Sequence, residues 1–323
     1  MFSKHRFFCV LAVVATAFAP VAPAQVVLID DNFETDTSAN YTIATSDAAN
    51  GSVTFAFDYG AAGIPLAPRS APGDAKGLKV AVNTVAAVAN SQTVFNNTVI
   101  NQDKYTMLVD VFMAFQGTTA TTIYGQPGVG GDGTTFNAVF TPISGSGSFM
   151  AFTGDGGSAS DYRWYLASAN GGPTTVPNTD PSYLGHGSNN TGVFYTDMFP
   201  SPPATIAGVP GNIWTTVRID VDNTAGRIQY FMTDTAGNPQ LVFDNSPDPL
   251  APTPFTGLLQ GLVSLGAHDA FSSVSPDTVY VVYDNLEVVP EPSTMLAGIG
   301  ALAGLAVVKL RRRARVSRDC HTS

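Results

Sequence analysis

The chain has 323 residues, and its positive charge is concentrated at the two ends. Two of the 15 Lys and Arg residues precede residue 25 and six follow residue 308, so residues 25–288 hold 7 basic and 23 acidic residues (7 − 23 = −16). This charge excludes nucleic acid and anionic membranes as partners of that region. Both cysteines, Cys9 and Cys320, lie outside it, so its stability depends on a large core rather than on disulfides.

The N-terminal segment has the organisation of a secretory signal peptide. A basic start precedes an apolar run over residues 7–19, and the small residues Ala22 and Ala24 follow. The apolar run is too short for an ordinary membrane span. We therefore predict that residues 1–24 are removed by signal peptidase before Gln25 and that the chain is exported.

The exported region has the pattern of a β-protein. Runs rich in Val, Ile, Thr, Phe and Tyr alternate with clusters of Gly, Asn, Asp and Pro. Early predicted strands are residues 26–30, 52–58, 77–83 and 105–115. In residues 105–115 every second side chain is apolar, which predicts a strand with one face in a core. No helix of ten residues or more is predicted. Residues 84–90 are the best local helix candidate but fit a strand or a turn equally well, and residues 193–199 form a predicted strand within the irregular region 170–203.

Three glycine-rich segments punctuate the centre of the chain, at residues 125–133, 144–148 and 154–157. A nucleotide-binding loop would be followed by a helix, and none of these segments is. We predict that they form hairpin turns or surface loops.

Residues 214–232 predict a β-hairpin. Val217, Ile219 and Val221 alternate along its first strand, a turn follows at 222–226, and apolar residues alternate again on the return. The segment resembles the hairpin of concanavalin A-like and laminin G-like domains, in which a Trp opens a strand that ends near Asp-Asn.

Similar sequences, Asp-Asp-Asn-Phe-Glu at residue 30 and Tyr-Asp-Asn-Leu-Glu at residue 283, mark the two ends of the region. In jelly-roll, lectin-like domains the first and last strands pair, and no linker divides residues 25–288 into smaller sandwiches. The resemblance implies an all-β fold: a single two-sheet antiparallel jelly-roll sandwich.

The C-terminal segment, residues 289–316, combines Pro290-Glu291-Pro292, an apolar run and an arginine cluster. The prolines favour an extended backbone, which a protease cleft can bind. The apolar run, residues 295–308, covers about 21 Å as a helix, against a hydrocarbon core of roughly 30 Å. The arginines indicate the cytoplasmic side.

This arrangement resembles the tail of PEP-CTERM proteins of Gram-negative bacteria, in which Pro-Glu-Pro, a transmembrane helix and a basic end occur in this order. Residues 317–323 add a short extension. The resemblance implies processing by an exosortase, a membrane protease-transpeptidase, and association with exopolysaccharide at the cell surface. An ordinary membrane anchor with a chance Pro-Glu-Pro is the alternative.

The residues give no indication of an enzyme. The chain has only three glutamates, Glu34, Glu287 and Glu291. None lies in the Glu-x-Asp-x-Glu strand that hydrolases of this architecture carry. Asp220 and Asp222 share a face of the hairpin, where solvent exposure and turn formation are the simpler roles. His186 and His268 accompany no Gly-x-Ser-x-Gly elbow. A glycan-active hydrolase or lyase with an unrecognised Asp-based site is the alternative.

Two binding sites are predicted. Tyr162 and Trp164 share one face of a strand and could stack on the apolar face of a sugar, or pack in the core instead. Asp30, Asp31 and Asp284 could bind calcium where the terminal strands meet, although such carboxylates also cap turns or face solvent. No other cofactor is predicted.

Overall fold

The computed structural model describes residues 26–86, 88–115, 123–140, 142–156, 160–168, 172–184, 191–245, 259–270 and 279–291. Within residues 26–291 these form one compact unit. The predicted signal peptide with Ala22, Ala24 and Gln25, and the tail from Pro292 onward, lie outside the described residues.

The described residues contain sixteen strands and one α-helix. The strands are β1 Ile29–Asp31, β2 Tyr41–Thr45, β3 Gly51–Asp58, β4 Lys76–Val82, β5 Asn90–Asn96, β6 Lys104–Ala114, β7 Ile123–Gly125, β8 Gly128–Gly131, β9 Ser148–Thr153, β10 Tyr162–Ala167, β11 Pro173–Thr175, β12 Trp214–Asp222, β13 Arg227–Thr233, β14 Pro239–Asp244, β15 Leu262–Asp269 and β16 Tyr280–Pro290. The helix is α1, Val193–Met198. None of the described helical segments has the length and apolar character needed to cross a membrane.

The strands form two antiparallel sheets. Sheet A has the order β14-β13-β12-β6-β16-β4-β3, with β1 added beside β16. Sheet B has the order β11-β10-β9-β7-β15-β5-β2, with β8 joined to β15 and β9. The inward side chains of both sheets form one core, so the prediction of an all-β, two-sheet antiparallel sandwich is confirmed.

The strongest period-two patterns form the elements that they predict. In β6, alternate residues from Tyr105 to Met113 are buried in the core between the sheets. The hairpin is formed by β12 and β13, with Ile219 opposite Tyr230. The first and last strands also pair as predicted, with Ile29 opposite Val288.

The strand predicted at residues 193–199 is wrong, because this segment begins with α1. Tyr195 and Met198, one helical turn apart, are both buried, and the Phe199 N–H donates to the Tyr195 carbonyl at 2.8 Å. The Tyr195 ring stacks on Tyr162 with a centroid distance of 4.2 Å. Burial of one face of a helical turn therefore outweighs the β-propensity of Val, Phe, Tyr and Thr.

The glycines at 125–133 lie partly in strands rather than only in turns. Gly128 lies in β8 opposite Phe149 of β9. A Cβ atom at Gly128 would lie 2.7 Å from the Phe149 Cβ and 2.9 Å from the Ser148 carbonyl oxygen. Close strand packing, not chain reversal, accounts for glycine at this position.

The outer face of sheet A is partly covered by residues 59–75, the segment that joins β3 to β4 and that we call the strap. The strap brings Tyr59 and Ala67 onto Phe112, Ala114 and Val282, which form a second, smaller apolar cluster. The strap therefore gives the outward side chains of β6 and β16 a buried environment.

Candidate functional site

Two buried carboxylates hold the strap against sheet A. Asp110 of β6 and Asp284 of β16 lie opposite each other. Asp284 Oδ2 accepts hydrogen bonds from the Tyr59 hydroxyl at 2.9 Å and the Ser70 hydroxyl at 2.7 Å. Asp110 Oδ1 accepts from Arg69 Nε at 3.2 Å, and Asp110 Oδ2 accepts from the Arg69 backbone N–H at 3.2 Å. Because the donors belong to the strap, these acids fasten it to the sheet.

A β-bulge in β16 completes this arrangement. The register of β16 against β6 shifts between Asp284 and Glu287, and Asn285 has a left-handed φ of 52°. The Arg69 guanidinium donates to the Asn285 carbonyl and, at 3.3 Å, to Glu287 Oε2. Asn285 Nδ2 in turn donates to Asp110 Oδ2 at 3.0 Å. Asn tolerates this backbone conformation better than most residues.

The environment of Asp284 favours its neutral form. Burial raises the pKa of this carboxyl to about 7, against hydrogen bonds from Ser70 and Tyr59 that lower it. The charge of the facing Asp110 raises the pKa of Asp284 further. Loss of a proton near neutral pH would therefore place two buried negative charges beside each other.

A groove of about 750 Å³ lies beside the strap on the outer face of sheet A. Its lining includes Arg69, Leu108, Trp214, Thr216, Arg218 and Phe231. Trp214 is half-buried, and its Nε1 donates to the Pro65 carbonyl at 2.7 Å. Its ring packs against Tyr59 and Phe112, at centroid distances of 5.2 and 5.4 Å. The strap thus fixes the orientation of an indole at the edge of the groove.

The other side of the groove pairs a guanidinium with an aromatic ring. The Arg218 guanidinium carbon lies 4.5 Å from the centroid of the Phe231 ring, within the range of a cation–π contact. Arg218 Nε also donates to Asp220 Oδ1 at 2.9 Å, and this hydrogen bond raises the pKa of Arg218. The groove therefore offers two partly exposed aromatic side chains together with planar hydrogen-bond donors.

Of the two hairpin aspartates, Asp222 has the expected role in the turn, whereas Asp220 is mostly covered and is bonded to neighbouring side chains of the sheet. Asp220 accepts from Arg218 and, at 2.7 Å, from Thr106 Oγ1. Asp222 accepts from the Ala225 backbone N–H at 2.9 Å within the hairpin turn and pairs with Lys104 Nζ at 2.6 Å.

The glycan platform predicted at Tyr162 and Trp164 is wrong, because both side chains are fully buried. Trp164 stacks on Phe243 at 5.2 Å and meets Tyr183 edge-on at 4.4 Å. The Tyr162 hydroxyl donates to the Gly208 carbonyl at 2.7 Å. No ring face is exposed to a sugar, so the alternative of core packing accounts for both residues.

The predicted calcium ligands are not assembled into a site. Asp30 is exposed on β1, whereas Asp31 accepts from the Tyr41 hydroxyl at 2.9 Å and the Phe33 N–H at 2.8 Å. Asp284 is engaged by the strap, as described above. Among the residues that the structure describes, no three His, Cys, Asp or Glu side chains are grouped as metal ligands.

Of the sorting-motif residues and the two histidines, those that the structure describes lie outside the groove. Pro290 and Glu291 lie at the end of β16, whereas Pro292 and His186 fall outside the described residues. His268 is buried in β15, and burial lowers the pKa of its imidazole to about 4.

The sequence did not identify the groove. One signal was present: Asp110 interrupts the apolar run of residues 107–114 and faces away from the core. Its partner Arg69 is 41 residues away along the chain, so periodicity could not connect them.

The sorting signal has a counterpart among known protein families. Residues 288–313 match the model of the PEP-CTERM protein-sorting motif, so the chain carries this motif as predicted. No curated protein matches the sequence.

Among solved structures, the chain is similar to the Emp47p carbohydrate recognition domain (9% identity, TM-score 0.42, covering 82% of this chain and 94% of that one). It is also similar to peanut lectin (10% identity, TM-score 0.42, 82% and 97%). A third similar structure is a Bacillus subtilis protein of unknown function with a galectin-like fold (10% identity, TM-score 0.43, 82% and 96%).

Proposed function

We propose that this chain is an exported, non-catalytic protein of the cell surface or extracellular matrix that binds exopolysaccharide. In this proposal signal peptidase removes residues 1–24 and an exosortase-type membrane protease processes the tail. The observation that carries it is the PEP-CTERM motif at 288–313, whose first residues are the end of the last strand of the sandwich. In this proposal the motif directs the folded domain to the cell surface.

The groove on sheet A is the proposed glycan site. Proteins bind sugars by placing aromatic rings against apolar C–H faces and directing polar groups at hydroxyls. Trp214 and Phe231 supply the rings, while Arg218 supplies hydrogen-bond donors. Because residues 25–288 carry a net charge of −16 (7 − 23), a polyanionic glycan would be repelled. A neutral polysaccharide fits the site better.

The buried carboxylates do not favour the alternative of a glycan-active enzyme. Asp110 and Asp284 lie close to the groove, but each of their four oxygens accepts a hydrogen bond from the protein. Both side chains are buried beneath the strap. A glycosidase needs its acid and its nucleophile or base exposed to the scissile bond, and this pair is instead used to hold the strap.

Intact mass of the protein from the native envelope and medium tests the sorting part of the proposal. We expect the loss of residues 1–24 and of everything beyond about residue 292. Glu291→Ala should leave the sandwich folded and stop tail processing. An N-terminally trimmed chain that still ends at Ser323, or a Glu291→Ala variant with unchanged size and location, would contradict exosortase processing.

Titration with the exopolysaccharide of the native host, followed by calorimetry, tests the glycan site. Trp214→Ala should weaken binding by about tenfold, since loss of one stacked ring changes the binding free energy by roughly 1 kcal/mol or more. Tyr280→Ala is the matched control, because Tyr280 is a half-buried aromatic of the same sheet that does not line the groove. Equal affinities of the two variants would place the glycan elsewhere.

A further inference from the structure

The sorting motif begins inside sheet A. Pro290 is the last residue of β16 and lies opposite Tyr105 of β6. The next residue, Glu291, donates its backbone N–H to the Lys104 carbonyl at 3.1 Å. The first two residues of Pro-Glu-Pro are therefore paired with the folded domain and do not form a separate peptide.

Strand β1 pairs with β16 almost up to Pro290. Ile29 of β1 lies opposite Val288, and the Leu28 N–H donates to the Val288 carbonyl at 2.8 Å. Residues just before Pro-Glu-Pro are thus hydrogen-bonded to β1 on one side and to β6 on the other.

Glu291 is exposed and lies at a recess of the domain. It lines this recess, of about 160 Å³, together with Asp222, Arg227 and Gln229. Hydrogen bonding to Asp222 chiefly raises the pKa of Lys104, and the charge of Glu291 raises it further. The motif's carboxylate is therefore close enough to interact with a cation of β6.

We propose that the folded domain limits access to its own sorting motif, so that the end of β16 must separate from β6 before the motif is processed. This inference rests on the proposed exosortase processing. A protease cleft binds an extended peptide by its backbone edges and side chains, and here one edge is occupied by β6. Hydrogen bonds at a strand end open at low free-energy cost, so the opening sets the processing rate without preventing processing.

The test is a pulse-chase of the full-length chain in its native host, with intact mass as the readout of tail removal. Inserting Gly-Ser-Gly-Ser between Val289 and Pro290 lets the flexible linker occupy the last pairing positions and moves the motif clear of the sheet. We expect tail removal to be faster by about three- to tenfold, the factor that one net hydrogen bond gives to an opening equilibrium.

The matched control carries the same insertion after Gly63, in an exposed turn where no atom lies within 4 Å of a would-be Cβ. Thermal melting should show that both insertions leave the domain folded, and tail removal in the control should match the wild type. Loss of exchange protection at the Glu291 amide in the first variant would verify that the motif has left the sheet.

The outcomes separate this inference from the function on which it rests. If the wild type is processed, Glu291→Ala is not, and the insertion before Pro290 leaves the rate unchanged or slower, the enzyme reads the motif on the sheet and the gating inference is overturned. If the wild type itself keeps its tail, exosortase processing fails, and the gating inference fails with it.

Discussion

At the scale of single residues, the ionisation of Asp284 should make the stability of the folded protein depend on pH. Its pKa in the folded protein is about 7, mainly because of burial, against an ordinary value of 3.8. A carboxyl whose pKa is raised by folding holds its proton more tightly in the folded state and so stabilises it. This contribution is complete at pH values below the pKa of the unfolded state, and it is lost as the pH rises through the pKa of the folded state. Ionisation of Asp284 should therefore weaken the folded state between mildly acidic and neutral pH.

We predict that the melting temperature of the wild type falls relative to that of Asp284→Asn as the pH rises from about 5 to 8. Buried His268, whose pKa is lowered to about 4, contributes the opposite pH dependence, but it does so equally in both proteins. The amide has a similar shape and cannot ionise, so it keeps a neutral group beside Tyr59 and Ser70. Calorimetric melting across this pH range is the measurement. An unchanged pH dependence in Asp284→Asn would mean that another group titrates.

Asp132→Asn provides the control for this experiment. Although burial opposes the shift, hydrogen bonds from Thr135 and Thr134 lower the pKa of Asp132 to about 2. With a lowered pKa the sign is reversed: the stabilisation is present above the unfolded pKa and is lost as the pH falls through the folded pKa. Asp132 stays ionised from about pH 5 to pH 8, so Asp132→Asn should retain the wild-type pH dependence.

The aromatic residues show what the sequence could reveal at this scale. Parity correctly places Tyr162 and Trp164 on one face of β10. Which face is covered depends on residues far away in the chain, such as Tyr183 and Phe243, which pack on Trp164. The chain's other tryptophan, Trp214, is the one at the edge of the groove. Periodicity assigns faces but cannot tell which face another segment covers.

At the scale of elements, local signals succeed and long-range ones are missed. The β12–β13 hairpin follows from alternation and from a turn that Asp222 stabilises by accepting from the Ala225 N–H. The strap has no such pattern, because Arg69 and Tyr59 find their carboxylate partners on β6 and β16 only in the folded sheet. The fold class was therefore predictable, whereas the groove beside the strap was not.

The attachment of the strap to sheet A should depend strongly on Arg69. Loss of this side chain should cost more stability than loss of an exposed ion pair. Arg69→Ala removes the guanidinium donors to Asp110, Asn285 and Glu287, and it leaves the fully buried Asp110 with only the backbone N–H of residue 69 as a donor from the strap. We predict a loss of about 1–3 kcal/mol in the free energy of unfolding, the usual cost of depriving a buried acceptor of its donor. Urea unfolding gives this value, and limited proteolysis should show new cleavage within residues 59–75.

Arg227→Ala is the comparison for this prediction. Arg227 pairs with Asp244 at 2.6 Å, but its side chain is more exposed than that of Arg69. Exposed ion pairs contribute up to about 1 kcal/mol, so the loss should be smaller and residues 59–75 should stay protected. If both variants lose equal stability, the carboxylate contacts are not what holds the strap.

At the scale of the whole molecule, the last strand closes the sandwich. Although β16 comes last in the chain, it lies between β6 and β4 near the middle of sheet A and also pairs with β1. Its residues Val281, Tyr283, Leu286 and Val288 belong to the main core. Sheet A therefore cannot form its native pairing until the residues immediately before the sorting motif are available.

This topology predicts where the chain can be shortened. A chain of residues 26–291 should fold alone and melt in one cooperative transition, because these residues form a single compact unit. A chain ending at residue 279 lacks β16 and its core side chains, and it leaves β1 and one edge of β6 without their strand partner, so it should show no cooperative melting. Circular dichroism and calorimetry on the two chains make the comparison.

A cooperative transition in the shorter chain would show that the sandwich forms without its last strand, and the motif would then be attached to a dispensable element. Loss of folding only in the shorter chain would mean that the domain is complete only when the chain has been made up to its sorting motif.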